Sequence, residues 1–145
     1  MLFSLAADVL SDSAEIKRWY SQQQVEAGKL LFGEHCAICH GKRAEGNANW
    51  KTRLPDGSLP PPPLNGTAHT WHHQLPVLRR AITLGGQRYG GKMPDFGGKL
   101  KQHQVDSIIA WLQSLWSNEV YAMWSGHDIE KLEQPEILKN LLDGL

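Results

Sequence analysis

Cysteine is almost absent from this chain: of 145 residues, only Cys36 and Cys39 carry a thiol. Without a third cysteine the pair lacks the further ligands of this kind that a structural zinc site needs. No apolar run approaches the roughly 20 residues that a membrane-spanning helix requires. Met1 to Leu10 has no basic n-region and too short an apolar stretch for an export signal. Interleaved aromatic and basic residues are lacking, as is any nucleic-acid fold signature, so DNA or RNA binding is not expected. No segment shows convincing strand alternation, and the length suits one domain. Methionine is scarce as well, with Met93 the one that lies neither at the chain start nor beyond the last core helix.

What the chain does contain is the pentad Cys36-Ala37-Ile38-Cys39-His40. On a helix, positions three and four apart share a face, so both thiols and the imidazole project together. This spacing is the attachment signature of covalent haem: two sulfurs form thioethers and His40 reaches the iron. A structural disulfide is the competing reading. A thioredoxin-like redox pair needs a strand-helix-strand setting that is not found. Haem attachment of this kind belongs to the exported side of a membrane. The expected location is therefore periplasmic or otherwise exported, with a signal or anchor absent from this chain.

The rest reads as helices separated by Gly/Pro loops. Residues 21–34 form a first core helix with Val25, Gly28, Leu31 and Phe32 on one side and Ser21 as N-cap. A loop from Gly41 to Gly66 is proline-dense at Pro60 to Pro63, where helix is excluded. A shorter helix spans about Gln74 to Leu84, with Leu75, Leu78, Ala81 and Ile82 as its apolar stripe. Six glycines and Pro94 between Gly85 and Gly98 demand a loop of special geometry. The last core helix starts near Lys101 and presents Val105, Ile108, Ile109, Leu112, Leu115 and Trp116 at helical spacing.

From the pentad, the helix order and the loops, residues 22–116 resemble a class I cytochrome c. The resemblance implies an all-α fold of three or more core helices wrapped around one covalently bound haem c. Gly28 and Phe32 match a Gly-x-x-x-Phe pair that lets the first helix cross closely against an aromatic on the last, here Trp111. Pro62-Pro63-Leu64 looks like the family's Pro-x-Leu element, in which Pro62 offers its carbonyl to the free N–H of the axial histidine and Leu64 packs on the haem. Gly91-Lys92-Met93-Pro94-Asp95-Phe96 resembles the methionine loop, making Met93 the second axial ligand and Phe96 a haem contact. Trp71 stands where many relatives place an aromatic that donates to a propionate, with Arg79, Arg88, Tyr89, Asn65 and Trp50 as weaker options.

Other readings stay open. Met93 is otherwise a gap-filling core methionine, and His69, His72, His73 or His103 could ligate iron in its place. The cluster His69-x-x-His72-His73 has the look of a copper or zinc site, although such histidines are more often solvated.

Charge is segregated along a chain whose formal net charge is zero: residues 42–101 hold ten Lys/Arg against three Asp/Glu, leaving both ends acidic. A basic surface around the haem would steer a redox partner with an acidic docking surface.

Three sections are expected: an N-terminal extension over 1–20, the cytochrome domain over 21–116 and a helical C-terminal extension over 117–145. The apolar spacing of the last helix runs on through Val120, Met123 and Trp124, so that helix is expected to continue past residue 116 and to break at Ser125-Gly126. Beyond lies an acidic amphipathic segment with Ile129, Leu132, Ile137, Leu138, Leu141 and Leu142. It is available to fold back over residues 6–20, to form a homodimer or to dock on a larger complex.

The function expected is a one-electron carrier outside the cytoplasm, with no catalytic residues. The alternatives are a haem-bearing subunit of a larger oxidoreductase and a haem enzyme or gas sensor whose sixth ligand is labile.

Overall fold

The computed structural model describes residues 16–126. The start at Met1 to Leu10, the apolar positions Val9 and Leu10, and the amphipathic segment from Ile129 to Leu142 lie outside the described residues.

Helix α1, Gln22–His35, opens on a complete capping box. The Ser21 hydroxyl accepts from the Gln24 N–H at 3.2 Å, and the Ser21 N–H donates to the Gln24 side chain at 2.9 Å. Two of the helix's orphan donors are satisfied in this way. After Cys36 the chain makes one further turn, α2, Ala37–His40. A long loop then leads to α3, Leu75–Leu84, which has Pro76 in its first turn where no N–H is missed. A glycine-rich loop connects to α4, Gln102–Ser114, followed by α5, Asn118–Ser125. Among the described residues there is no strand, only an isolated bridge between Leu59 and Gly91. No helix there is long and apolar enough to cross a membrane.

The central packing event is the crossing of α1 on α4. A Cβ built on Gly28 would lie 1.8 Å from the Ser107 carbonyl oxygen and 2.9 Å from the Trp111 Cβ. Only a residue without a side chain lets the two backbones approach so closely. One turn on, Phe32 packs on Trp111 with ring centroids 4.5 Å apart. Phe32, Val105, Ile108 and Ile109 are all essentially sealed from solvent, with Ile82, Phe96, Leu100 and Leu112 completing the core. Each such side chain contributes on the order of 1.5–3 kcal/mol of transfer free energy.

The last core helix does not continue past residue 116. Helix α4 stops at Ser114, and the Ser117 hydroxyl accepts from the Val120 N–H to start α5 as a separate element. Serine at this point competes with helix continuation by capping the next helix. The break also frees Trp116, whose indole N–H donates to the Leu64 carbonyl at 2.9 Å. The apolar spacing persisted because α5 returns to the same body: Trp116, Val120 and Tyr121 form a second buried cluster with Ile16, Trp19, Tyr20 and Trp71 packed on it. Gly126 ends α5 in the left-handed conformation.

The crossing yields a paired expectation. Gly28→Ala should cost roughly 1–3 kcal/mol of stability, because backbone must shift to admit the methyl group. Gly33→Ala, on the same helix with nothing within 4 Å of the added Cβ, should be neutral or stabilising by up to about 1 kcal/mol. Denaturant titration of both variants checks this, and equal stabilities would show that the helices do not cross at Gly28.

Candidate haem site

The capped α1 delivers the pentad. His40 and Gly41 bond back to the Cys36 and Ala37 carbonyls, holding α2 as a tight turn that ends at Gly41 with φ 81°. Neither cysteine is in a disulfide; Cys36 is half-buried, Cys39 exposed, and Ile38 between them is 93% exposed. Burial pushes the Cys36 thiol up to about 11, with the neighbouring Cys39 adding to the shift.

His40 itself is buried, and burial lowers its affinity for a proton. Its Nδ1 lies 3.1 Å from the Pro62 carbonyl oxygen. Proline supplies no competing N–H, so the carbonyl is the group this segment offers. With Nδ1–H donating to Pro62, the neutral tautomer leaves Nε2 as the free, electron-rich nitrogen.

The acceptor is held closely in place. A Cβ on Gly46, which sits at φ +56°, would fall 2.4 Å from the carbon and the oxygen of the Pro62 carbonyl. Leu64 donates its N–H to the Ala44 carbonyl at 2.8 Å and packs on the main core.

Met93 is half-buried against the same core. Its carbonyl accepts from the Gly86 N–H at 3.0 Å, while Phe96 and Gly97 donate to the Ile82 and Thr83 carbonyls at the end of α3. Gly85, at φ +73°, passes so near that a Cβ would sit 2.7 Å from the Met93 oxygen. The glycines thus let the loop fold flat onto α3. Phe96 is buried in the core beside His35, ring centroids 6.2 Å apart.

Trp71 is placed differently from these residues. It packs on the second cluster around Trp116 and Tyr121, with His72 at 4.0 Å. Of the weaker propionate candidates, Arg79 is committed elsewhere: its guanidinium grips Asp106 through two bonds of 2.7 and 3.0 Å. This fork joins α3 to α4. Asn65 caps its own turn through Thr67. Trp50 stacks on His69 at 4.6 Å and 12°. Arg88 and Tyr89 are exposed.

No group of three His, Cys, Asp or Glu side chains able to hold a metal ion occurs among the described residues. In the histidine cluster, His69 and His73 meet edge to face at 5.2 Å, and the His69 Nδ1 is sealed without a partner. The basic stretch is also tempered, since Lys92 pairs with Asp56. Hydrogen bonds from Lys92 and Ser58 hold the Asp56 carboxyl well below the usual carboxylate range.

Residues 23–112 match the family model of cytochrome c oxidase, cbb3-type, subunit III. The chain belongs to this family. It is a c-type cytochrome with an all-α cytochrome c fold, and its prosthetic group is covalently bound haem c. A quinohemoprotein alcohol dehydrogenase, ADH IIB, of Pseudomonas putida is 30% identical over 92 residues, 63% of this chain and 11% of the relative. The cbb3-type cytochrome c oxidase subunit FixP of Sinorhizobium medicae (strain WSM419) is 29% identical over 100 residues, 65% of this chain and 31% of the relative. The chain thus spans a third or less of the length of these relatives. No solved structure matches it.

The donor set suits that group. Two unpaired thiols and an imidazole whose distal nitrogen is free share one turn. A half-buried thioether stands in a loop fastened to α3.

The cytochrome should respond to acid through His69. Burial first, then His73, His72 and Lys51, lower its proton affinity from the ordinary value of 6.5. A group depressed in the folded state stabilises the fold above the unfolded value and loses that contribution as pH falls through the folded one. Stability of the cytochrome should therefore decline below about pH 6.5, and less steeply in His69→Phe. Identical pH profiles for the two proteins, measured by denaturant unfolding, would contradict this.

Proposed function

We propose that this cytochrome carries one electron at a time outside the cytoplasm, through a single haem. The observation that carries the reading is the bond between the buried His40 imidazole and the Pro62 carbonyl, on the same turn as two cysteines that form no disulfide. Cys36 and Cys39 would tether the porphyrin by thioethers, and His40 Nε2 and the Met93 sulfur would be the axial ligands. Leu64 and Phe96 would pack on the ring and Trp71 would donate to a propionate.

The bound haem supplies an Fe(II)/Fe(III) couple. The protein's part is to keep both ligands in place in either state. Burial disfavours protonation of His40, and Pro62 would hold its ring orientation and raise its basicity as a ligand. The Met93 thioether, as a soft ligand, would favour the reduced form and raise the potential. Were His40 and Met93 both to hold the iron, no position would remain open for a substrate, and the chemistry would be electron transfer and not catalysis.

Covalent attachment through a Cys-x-x-Cys-His turn supports a periplasmic or otherwise exported location. The exposed Arg80, Arg88 and Lys99 support docking of a partner that presents acidic side chains. A second reading, a domain serving within a larger oxidoreductase, is favoured by the two relatives, in each of which the matched part is a minor share of the protein.

Met93→Ala tests the ligation. The variant should keep covalent haem, since the tether does not involve residue 93, yet lose the weak far-red sulfur-to-iron band, bind exogenous ligands and show a lower potential. An unchanged far-red band would assign the sixth position to another residue.

Reversal of Arg88 to Glu should slow association with the redox partner at low salt while leaving the potential nearly unchanged, because exposed charges act within roughly 10 Å at 0.1 M ionic strength. A rate indifferent to both salt and Arg88 would remove steering from the account.

A further inference from the structure

A proline ring fixes φ near −65° but leaves ψ free, and ψ is the rotation that swings a residue's carbonyl. The Pro60–Pro63 run also has no N–H with which to anchor itself. The direction of the Pro62 carbonyl must therefore be set by donors from elsewhere in the chain.

Four successive carbonyls of this segment each receive one. The Asn47 N–H donates to Pro61 at 2.9 Å. His40 Nδ1 reaches Pro62 at 3.1 Å. The Thr70 hydroxyl donates to Pro63 at 3.1 Å, and the Trp116 indole N–H donates to Leu64 at 2.9 Å. Thr70 and Trp116 are both buried, at 7% and 3% exposure, so neither serves the surface. The family resemblance assigns no role to either.

We infer that Thr70 and Trp116 are positioning residues for His40. By pinning the two carbonyls that follow Pro62, while Asn47 holds the one before it, they fix the chain on either side of Pro62 and restrict the ψ rotation that would swing its oxygen off the imidazole. A firm acceptor keeps Nδ1–H bonded and makes Nε2 a stronger donor. Stronger donation stabilises the oxidised iron, so the two residues lower the midpoint potential. The inference rests on the reading of His40 as the axial ligand.

Haem-loaded Thr70→Val and Trp116→Phe proteins test it by redox titration and by NMR exchange of the His40 Nδ1 proton in the reduced state. Both variants should raise the potential. Exchange should accelerate roughly fivefold, the equivalent of about 1 kcal/mol for one net hydrogen bond. Thr70→Ser, which keeps the hydroxyl, should restore both values.

Trp124→Phe is the control for structural loss. Its indole also donates to a backbone carbonyl, that of His73 at 2.8 Å, away from the proline run. It should move neither readout. Should Thr70→Val fail to fold, Trp116→Phe, read against Trp124→Phe, still decides the matter. Potentials and exchange rates that shift no more than in Trp124→Phe would overturn the inference and leave His40 ligation intact. A His40 ring with no hyperfine shift in the oxidised wild type would overturn both.

Discussion

Everything at the site depends on one hydrogen bond, that between the His40 imidazole and the Pro62 carbonyl. A buried histidine without a partner for its N–H would cost about 1–3 kcal/mol, and its ring would be free to flip or rotate. The carbonyl removes the cost and selects the tautomer at once. Because the acceptor belongs to a proline run, it faces no competition from neighbouring N–H groups. Gly46 must in turn be glycine, since any side chain there would collide with the acceptor.

The second constraint is the crossing at Gly28. It brings α1 close enough to α4 for Phe32 to seat on Trp111, and Phe32 in turn lies 6.5 Å from the His40 ring. The pentad is therefore placed by the helix that precedes it, with the capping box at Ser21 setting where that helix begins. Across the molecule, the Arg79–Asp106 fork ties α3 to α4, and the glycine loop carrying Met93 is fastened to the end of α3. The two long connections are both fastened, the one before α3 through the carbonyls of its proline run and the one after α3 to the end of that helix.

Much of this was legible in the sequence, for identifiable reasons. Helical periodicity in Val105 to Leu112 and the Ser21 cap are local signals, and local signals survive folding. Gly28 and the Pro62 carbonyl were legible only through resemblance, because close approach and second-shell contact leave no periodic trace. The end of α4 differs from what the apolar spacing suggests. The apolar spacing through Val120 and Trp124 belongs to a second helix, and the capping serine at 117 was the available clue. Arg79 reads as a propionate partner from sequence alone, because sequence cannot show that Asp106 lies opposite it. The donor Trp116 has no sequence signature for the same reason, since its bond to Leu64 spans 52 residues, while the Thr70 bond to Pro63 lies in an irregular loop with no periodicity to reveal it.

The measurement that tests the account most directly is a redox titration of the purified protein followed by absorption from the Soret region to the far red. The account requires one wave with a one-electron slope, low-spin iron in both states and a far-red band that vanishes on reduction. Two waves, or a high-spin oxidised spectrum without that band, would contradict a single haem held between His40 and Met93.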